Sequence, residues 1–366
     1  MRPGSFAMIC KDVHSALSAI RERYESGQVV VVHDAHCGWP IESVHKSEWA
    51  EVPSLALEVS EAAKSLETVQ HIWDFFFEHG LTRRALVIAI GGGVLTDLTG
   101  FAASTYKRGI DYVNVPTSLL AMVDASSGGK TGFNYHGLKN GIGAFHAPVE
   151  TLICPDFLRT LPVKEWLSGF GEMLKTGLIS DKRQKTAAKP LKEESLWNAL
   201  LQYDLDAMET EPLTPLIIAC VRAKEAIVAQ DPQEEGLRKV LNFGHTFGHA
   251  LEEISIVNRQ SSNRQLLHGY AVVYGLIAEL YLSVIKLGCS KEPLQQLTQL
   301  MLHYYGKPEC KCSDRERLIA LMQQDKKNER AATINCTLIQ AIGSPVINQV
   351  ITIEEANEAL DYLFSL

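Results

Sequence analysis

The sequence of 366 residues lacks the features typical of membrane-spanning, secreted, nucleic-acid-binding and zinc-ribbon proteins. It has no run of about eighteen or more apolar residues, and its first residues show no basic segment followed by a long apolar one. Its formal net charge of −8 argues against a nucleic-acid-binding protein. Its eight cysteines are scattered without the paired spacing of a zinc ribbon, so we expect buried or free thiols. These absences predict a cytoplasmic protein without nucleic-acid or membrane partners.

The length and the 46% hydrophobic content indicate about two domains. Short apolar runs bounded like buried parallel strands alternate with a predicted helix from Ser65 to His79. The strand candidates are Val29–Val32, Ala85–Ile90, Tyr112–Val115 and Thr151–Cys154. This alternation predicts an α/β domain over residues 1–155. Helix formers dominate after Pro155 until the run at 333–339, which predicts a mainly helical domain over residues 156–366.

A pair of histidines, His245 and His249, lies four residues apart in the segment Leu241–Glu252. At that spacing two side chains lie on one face of a helix, and Asn242 lies one turn earlier on the same face. Such a pair can bind a metal or an anion, but a purely structural histidine pair is about as common. The pair alone leaves both interpretations open.

The glycine run Gly91–Gly93 follows a predicted strand and precedes a predicted helix from Val94 to Ser104. In that position its backbone amides can approach a pyrophosphate at the N-terminus of the helix. The run lacks the Gly-x-Gly-x-x-Gly spacing, so a simple tight turn is an equal alternative.

A second glycine-rich stretch contains Gly128-Gly-Lys130-Thr-Gly132, with Lys139-Asn140 and Gly141-Ile-Gly143 shortly after it. Glycines beside a lysine and a threonine suit contact with a phosphate. A flexible surface loop is the alternative. We favour phosphate contact, because so many glycines cost chain entropy without some purpose.

A carboxylate and an ammonium, Glu172 and Lys175, lie three residues apart on one face of a predicted helix. A surface ion pair is the common explanation for this spacing. Here the flanking residues, such as Phe170 and Leu174, are apolar, so Glu172 would be partly buried and would need a cation, for which a metal qualifies. His268 opens a later apolar helix, and its role as a ligand depends on the other residues.

Taken together, these segments resemble the 3-dehydroquinate synthase family of the sugar phosphate cyclases over nearly the whole chain and in the same order. The matching segments are Gly91–Asp97, Tyr106–Gly109, Pro116–Asp124, Gly128–Lys130, Gly137–Asn140, Gly171–Lys175, Arg238–His249 and His268–Gly269. The resemblance implies a Rossmann-like α/β nucleotide-binding domain followed by a mainly α-helical domain. It also implies conversion of 3-deoxy-D-arabino-heptulosonate 7-phosphate into 3-dehydroquinate and phosphate, in the shikimate pathway.

For the cofactors, the resemblance implies Zn²⁺, or Co²⁺ in its place, held by Glu172, His245 and His268. It implies NAD bound at Gly91, Gly92, Gly93 and Val94, with further contacts from Asp97, Thr117, Ser118, Lys139, Asp34, Glu61 and Lys64. The implied reaction comprises transient oxidation by NAD, elimination of phosphate, return of the hydride and an intramolecular aldol addition. NAD is therefore not consumed.

The implied substrate is a sugar phosphate with several negative charges, and many of the residues that match the family's substrate pocket are cationic. They are Asp124, Lys130, Asn140, Lys175, Lys224, Arg238, Asn242, His249 and Lys326. Arg108 matches a phosphate contact that reaches across a dimer, so the resemblance implies a homodimer. Gathered cations explain how an acidic protein binds an anion.

The sequence departs from the family pattern at two positions. Tyr270 stands where an acid usually follows His268-Gly269, so the support that such an acid gives the metal ligand is in question. His36 stands where asparagine is usual. Two enzymatic alternatives stay open: another sugar phosphate cyclase, and a metal-dependent polyol dehydrogenase that releases NADH. The intact metal and cationic residues argue against a non-catalytic binding protein.

Overall fold

The computed structural model describes residues 7–44, 49–136, 138–180, 195–257, 266–310, 314–324 and 333–366. The chain forms two compact units. The first comprises Met1–Pro162 with Ala207–Glu225, and the second comprises Val163–Asp206 with Ala226–Leu366. The domain boundary between residues 155 and 156 stays a prediction.

The first unit contains a six-stranded sheet in which every neighbouring pair is parallel. Its strands are β1 (Ala7–Ile9), β2 (Val29–Asp34), β3 (Ser54–Leu57), β4 (Leu86–Gly91), β5 (Asp111–Pro116) and β8 (Glu150–Ile153). The order is β1-β8-β5-β4-β2-β3. Strands β2 and β4 are almost entirely buried, which explains their continuous apolar sequences. The predicted α/β architecture is confirmed.

The first unit contains several helices, and the sequence predicted the third and the fourth of them near their observed positions. The helices are α1 (Val13–Arg21), α2 (Gly38–Val44), α3 (Leu66–Glu78) and α4 (Gly93–Thr105). Helix α3 begins at an N-cap, Ser65, whose hydroxyl accepts a hydrogen bond from Thr68 N, and it buries Val69, Ile72 and Phe76 at helical spacing. The order of the strands reverses between β2 and β4, because the chain passes from β3 across β2 to β4. Open parallel sheets bind ligands at the carboxyl ends of the strands beside such a reversal.

The glycine-rich stretch after residue 128 forms a hairpin that the sequence did not predict. Its strands are β6 (Lys130–Tyr135) and β7 (Leu138–Phe145), and Gly132 is paired with Gly143. A Cβ atom at Gly132 would lie 2.5 Å from Ile142 O, and one at Gly143 would lie 2.5 Å from Thr131 O. These two glycines therefore allow close strand pairing, a purpose for the glycine density other than phosphate contact.

The second unit is mainly helical, as predicted. Its helices are α5 (Val163–Ile179), α6 (Leu196–Leu201), α8 (His245–Val257), α9 (His268–Leu287), α10 (Glu292–Leu300), α11 (Arg315–Gln324) and α12 (Ile353–Ser365). Helix α7 (Thr210–Gln230) runs from the first unit into the second. The strand expected at 333–339 is present as β9 (Ile334–Ala341), and it pairs with β10 (Ser344–Ile351), which the sequence did not predict.

Helix α9 lies at the centre of the second unit. Among the described residues it is the one helix long and apolar enough to cross a membrane, but 67% of its most apolar window is buried inside the protein. Its contacts with α5 and α8 are unusually close: a Cβ atom at Gly269 would lie 1.7 Å from Ser168 O, and one at Gly275 would lie 1.9 Å from Gly244 O. Its apolar sequence is therefore explained by core packing, and its glycines set the distance to both neighbours.

We predict that Gly275→Ala destabilises the second unit by about 1–3 kcal/mol, because the added methyl group forces α9 away from the start of α8. The check is the urea concentration at half-unfolding, followed by circular dichroism. Ile285→Ala is the control on the same helix, since its side chain is 46% exposed. Equal midpoints for the Gly275 variant and the unaltered protein would show that the contact relaxes without cost.

Candidate functional site

Three side chains from three different helices meet in the second unit. Glu172 lies within α5, whereas His245 and His268 are the first residues of α8 and α9. One ligand atom from each lies within 4.8 Å of the others. His245 Nε2 is 3.3 Å and His268 Nε2 is 3.1 Å from the same carboxylate oxygen, Glu172 Oε1. Two imidazoles and a carboxylate around one point are a ligand set for a divalent transition metal.

The charge on Glu172 is maintained although the residue is only 1% exposed. Burial by itself would raise the pKa of Glu172, but Lys175 opposes it most strongly, and the pKa of Glu172 lies well below its usual range. Burial lowers the pKa of His245. Burial also opposes a charge on His268, but Glu252 and Glu172 outweigh this and raise the pKa of His268 to about 10. The group is thus built around an ionised carboxylate that two imidazoles face.

The hydrogen bonds show why a metal fits this group. His245 Nδ1 lies 3.1 Å from Phe243 O. Because a carbonyl oxygen only accepts, Nδ1 carries the proton, and the neutral ring turns the lone pair of Nε2 toward Glu172 Oε1. Two acceptors that face each other repel, and a cation between them would remove the repulsion. The residues present therefore fit a bound metal ion.

Two more buried carboxylates support the histidines. Glu252, on α8, lies 3.3 Å from His268 Nδ1 through Oε2. Glu279, on α9 and fully buried, accepts hydrogen bonds from Gly244 N at 2.7 Å and Thr246 N at 3.0 Å. These amides belong to the unsatisfied donors at the N-terminus of α8, so Glu279 caps the helix from outside and fixes the backbone on both sides of His245.

Of the other residues predicted in the second unit, some contact this group and others have different partners. Lys175 forms a buried ion pair with Glu172, and the ring centroid of His249 is 5.2 Å from that of His245. Asn242 donates to Glu234 Oε1 at 3.0 Å. Arg238 is only 2% exposed, and its Nη1 donates to Pro232 O at 2.7 Å. Lys326 lies outside the described residues.

In the first unit, several of the predicted cofactor residues lie at the carboxyl ends of the parallel strands. Gly92 is the N-cap of α4 and makes no side-chain capping hydrogen bond, and Val94 lies in the first turn of that helix. Thr117 follows β5 and donates its N–H to Gly91 O at 3.0 Å. A Cβ atom at Gly92 would have Ser118 Oγ at 3.6 Å as its nearest neighbour. The start of α4 thus offers backbone donors to an anion such as a pyrophosphate.

A second cluster in this unit joins charged residues that lie far apart in the sequence. Lys64, which is 5% exposed, donates to Asp97 Oδ2 at 2.5 Å, and burial raises the pKa of Asp97 although Lys64 opposes this. Lys139 Nζ lies 3.9 Å from Glu61 Oε1. Asn134 links Glu61 to Asn140, because its side chain donates to Glu61 Oε1 and accepts from Asn140 N, each at 2.9 Å. Asp34 ends β2 and accepts from His36 N at 2.9 Å.

A further ion pair in the first unit joins Lys224, on α7, to Asp124. Lys224 Nζ donates to Asp124 Oδ1 at 2.7 Å, and Asp124 lies in a π-helical turn, Ala121–Ala125, a feature frequent at functional sites.

Lys130 begins β6 and is exposed. Arg108 is also exposed, and its backbone has a φ of +69°, next to Lys107 with a φ of +48°. Two such residues in succession store strain, as is frequent at functional sites.

Sequence reasoning missed Glu252, Glu279 and Asn134. Glu252 carried a usable signal, because it follows His245 by seven residues and His249 by three and therefore lies on the same face of α8. Glu279 and Asn134 carried none, since each acts on a partner that is distant in the sequence.

Comparison with known proteins identifies the family. The family model of the 3-dehydroquinate synthase N-terminal region matches residues 54–168, and the model of the C-terminal region matches residues 169–328. A 3-dehydroquinate synthase of Parabacteroides distasonis is 38% identical over 359 residues, which are 97% of this chain and 96% of that protein. The chain belongs to the 3-dehydroquinate synthase family. The resemblance inferred from the sequence motifs is confirmed.

Solved structures of sugar phosphate cyclases share the fold. A 2-epi-5-epi-valiolone synthase from Streptomyces hygroscopicus, with NAD⁺ and Zn²⁺ bound, has a TM-score of 0.81 at 27% identity and covers 99% of this chain and 97% of its own. A 2-deoxy-scyllo-inosose synthase, complexed with carbaglucose-6-phosphate, NAD⁺ and Co²⁺, has a TM-score of 0.80 at 21% identity and covers 98% of both chains. The expected dehydroquinate synthase-like fold is confirmed.

We predict that His245→Asn lowers the affinity for Co²⁺ by roughly 100-fold or more, because it removes an imidazole ligand. The check is a titration of the metal-stripped protein with Co²⁺, followed by its visible absorption. His249→Asn is the matched control, since it makes the same substitution one turn further along α8, outside the metal group. An equal loss of affinity in both variants would contradict the assignment of the ligands.

Proposed function

We propose that the protein catalyses the 3-dehydroquinate synthase reaction, a carbon-oxygen lyase step of the shikimate pathway toward chorismate and the aromatic amino acids. The observation that carries the proposal is the convergence of Glu172, His245 and His268 in a chain of this family. A cytoplasmic location is part of the proposal. The described cysteines are free thiols, which is the usual state of cysteine in a reducing compartment.

The proposed cofactors are NAD and a divalent metal, Zn²⁺ or Co²⁺. Glu172, His245 and His268 would hold the metal, and three protein ligands leave open positions for the substrate. Gly91, Gly92, Gly93 and Val94 would receive the pyrophosphate of NAD, with Asp97, Thr117, Ser118, Lys139, Asp34, Glu61 and Lys64 around the cofactor. When bound, the metal polarises the oxygen on the carbon to be oxidised, and NAD accepts and returns a hydride.

The protein's own residues bind and orient the substrate, 3-deoxy-D-arabino-heptulosonate 7-phosphate. Its negative charges require cations, and Lys130, Lys175, Lys224 and Arg238 are proposed to provide them. A cation held in a fixed position stabilises charge better than a mobile one, because little reorganisation is needed during the reaction. Lys224 is held in this way by Asp124, and Lys175 by Glu172.

The steps of the reaction balance without a net change in oxidation state. The substrate hydroxyl is oxidised to a ketone, which acidifies the adjacent carbon, and phosphate leaves by elimination. The ketone is reduced again, the ring opens, and an intramolecular aldol addition closes 3-dehydroquinate. Through these steps Asn140, Asn242 and Lys326 are proposed to keep the substrate oriented. His249 lies beside the metal group and is proposed to handle the mobile proton near the phosphate.

We predict that the protein, supplied with Zn²⁺ or Co²⁺ and NAD, releases phosphate from the heptulosonate phosphate in step with the formation of 3-dehydroquinate, and that no NADH accumulates. Phosphate assay and absorbance at the NADH band measure the two quantities. Removal of the metal with a chelator, or omission of NAD, should stop the release of phosphate. Accumulation of NADH would indicate a polyol dehydrogenase instead. Failure with this substrate but turnover of another sugar phosphate would indicate a different cyclase.

A homodimer is part of the proposal, and exposed apolar side chains of the first unit support it. The hairpin β6–β7 exposes Tyr135 (44%), Leu138 (69%), Ile142 (37%) and Phe145 (54%), which is unusual for a small surface element. Arg108 lies beside this hairpin, because His146, the residue after β7, hydrogen-bonds Ile110 O through Nε2 at 3.1 Å. A second copy that covered the hairpin would come close to Arg108, which is proposed to bind the phosphate of the partner's substrate.

We predict that two inactive variants, Arg108→Ala and His245→Asn, regain activity when they are mixed, unfolded and refolded together. A mixed dimer has one complete site, formed by the metal ligands of the Arg108→Ala chain and Arg108 of the other chain. Random pairing would restore about a quarter of the unaltered activity. The control replaces His245→Asn by the double variant and should restore nothing. The absence of recovery in the first mixture, with mixed dimers demonstrated by mass, would show that Arg108 acts within its own chain.

A further inference from the structure

The imidazole of His268 is held between two carboxylates. Its Nε2 lies 3.1 Å from Glu172 Oε1, in the metal group, and its Nδ1 lies 3.3 Å from Glu252 Oε2. Glu252 is only 4% exposed. A carboxylate is seldom buried to this extent unless it has a specific partner, because its desolvation is costly. The Nδ1 atom of His268 is such a partner.

The two histidines of the metal group are oriented by chemically different acceptors. His245 Nδ1 faces a neutral backbone carbonyl, Phe243 O, whereas His268 Nδ1 faces the carboxylate of Glu252. Both acceptors require the proton on Nδ1 and thereby leave Nε2 free for a metal. The carboxylate does more than the carbonyl, because its negative charge makes the imidazole a stronger electron donor.

The position at which the family usually has an acid does not support His268 in this chain. Tyr270 stands where an acid is usual in the family, and its ring packs against Tyr305 with centroids 4.8 Å apart. The support of His268 therefore comes from α8, not from the neighbouring residue in the sequence.

We propose that Glu252 is a positioning residue for the metal ligand His268: it holds the proton on Nδ1 and turns Nε2 toward the metal. The proposal rests on the proposed metal centre, but it concerns metal affinity and does not require turnover for its test. Glu252 contacts neither the substrate nor the metal in this role. It connects the face of α8 that carries His245 to the first residue of α9.

The test is the affinity of the metal-stripped protein for Co²⁺, measured by visible absorption, in Glu252→Gln and Glu252→Ala. We expect an affinity lower by roughly tenfold to hundredfold in both variants, because the charged acceptor of Nδ1 is lost. Glu253→Gln is the matched control, since it makes the same substitution one residue along α8 on a half-buried side chain. At saturating Co²⁺ the activity of Glu252→Gln should recover in part, because the three ligands are intact. A purely structural role would not produce that recovery.

An unchanged Co²⁺ affinity in both Glu252 variants would overturn the proposal. A second measurement needs no variant: a crystal structure of the zinc-loaded protein should show Glu252 within hydrogen-bonding distance of His268 Nδ1 and the metal on Nε2. A reversed His268 ring, or Glu252 turned away from it, would also overturn the proposal. If the unaltered protein binds no Co²⁺ at all, the metal centre itself fails, and that result is distinct from a loss confined to the variants.

Discussion

The arrangement of the second unit depends on the burial of one carboxylate, that of Glu172. A buried ion costs several kcal/mol unless opposite charge compensates it closely, so the fold must bring cations to this point. Lys175 comes from the same helix, and the imidazoles of His245 and His268 reach the carboxylate from the starts of two others. The starts of α8 and α9 meet the middle of α5 at this buried carboxylate. The same requirement produces a ligand set for a metal.

Close helix packing makes this meeting possible. His268 can reach Glu172 because its neighbour Gly269 lies against Ser168 of α5, where any larger side chain would overlap the backbone. Gly275 allows the same approach to Gly244, just before His245. Glu279 is on the same helix as Gly275 and caps α8 once the two backbones are close. Packing and electrostatics are thus coupled, since a shift of α9 would change the ligand distances and break the cap together.

Short-range patterns in the sequence predicted a large part of this structure. Continuous apolar runs identified β2 and β4, and apolar residues at helical spacing identified α3, because these signals depend on neighbouring residues. The clustered glycines do have a purpose, but that of Gly132 and Gly143 is contact between two strands. Their pairing joins residues eleven positions apart, and composition alone does not distinguish it from a phosphate-binding loop. The sequence suggested the three candidate metal ligands through resemblance, while the supporting carboxylate Glu279 became visible only in the structure.

Helix geometry explains why the change to Tyr270 leaves the metal group intact. Successive residues of a helix are turned by about 100°, so residue 270 points about 200° away from His268 around α9. Its ring accordingly packs against Tyr305, on a different side of the helix. On α8, by contrast, residues 245 and 252 are separated by nearly two full turns and share one face. A carboxylate at position 252 can therefore reach the imidazole of His268 while His245 occupies the adjacent corner of the group. The geometry that makes position 270 unsuitable for supporting the metal ligand is the same geometry that makes position 252 suitable.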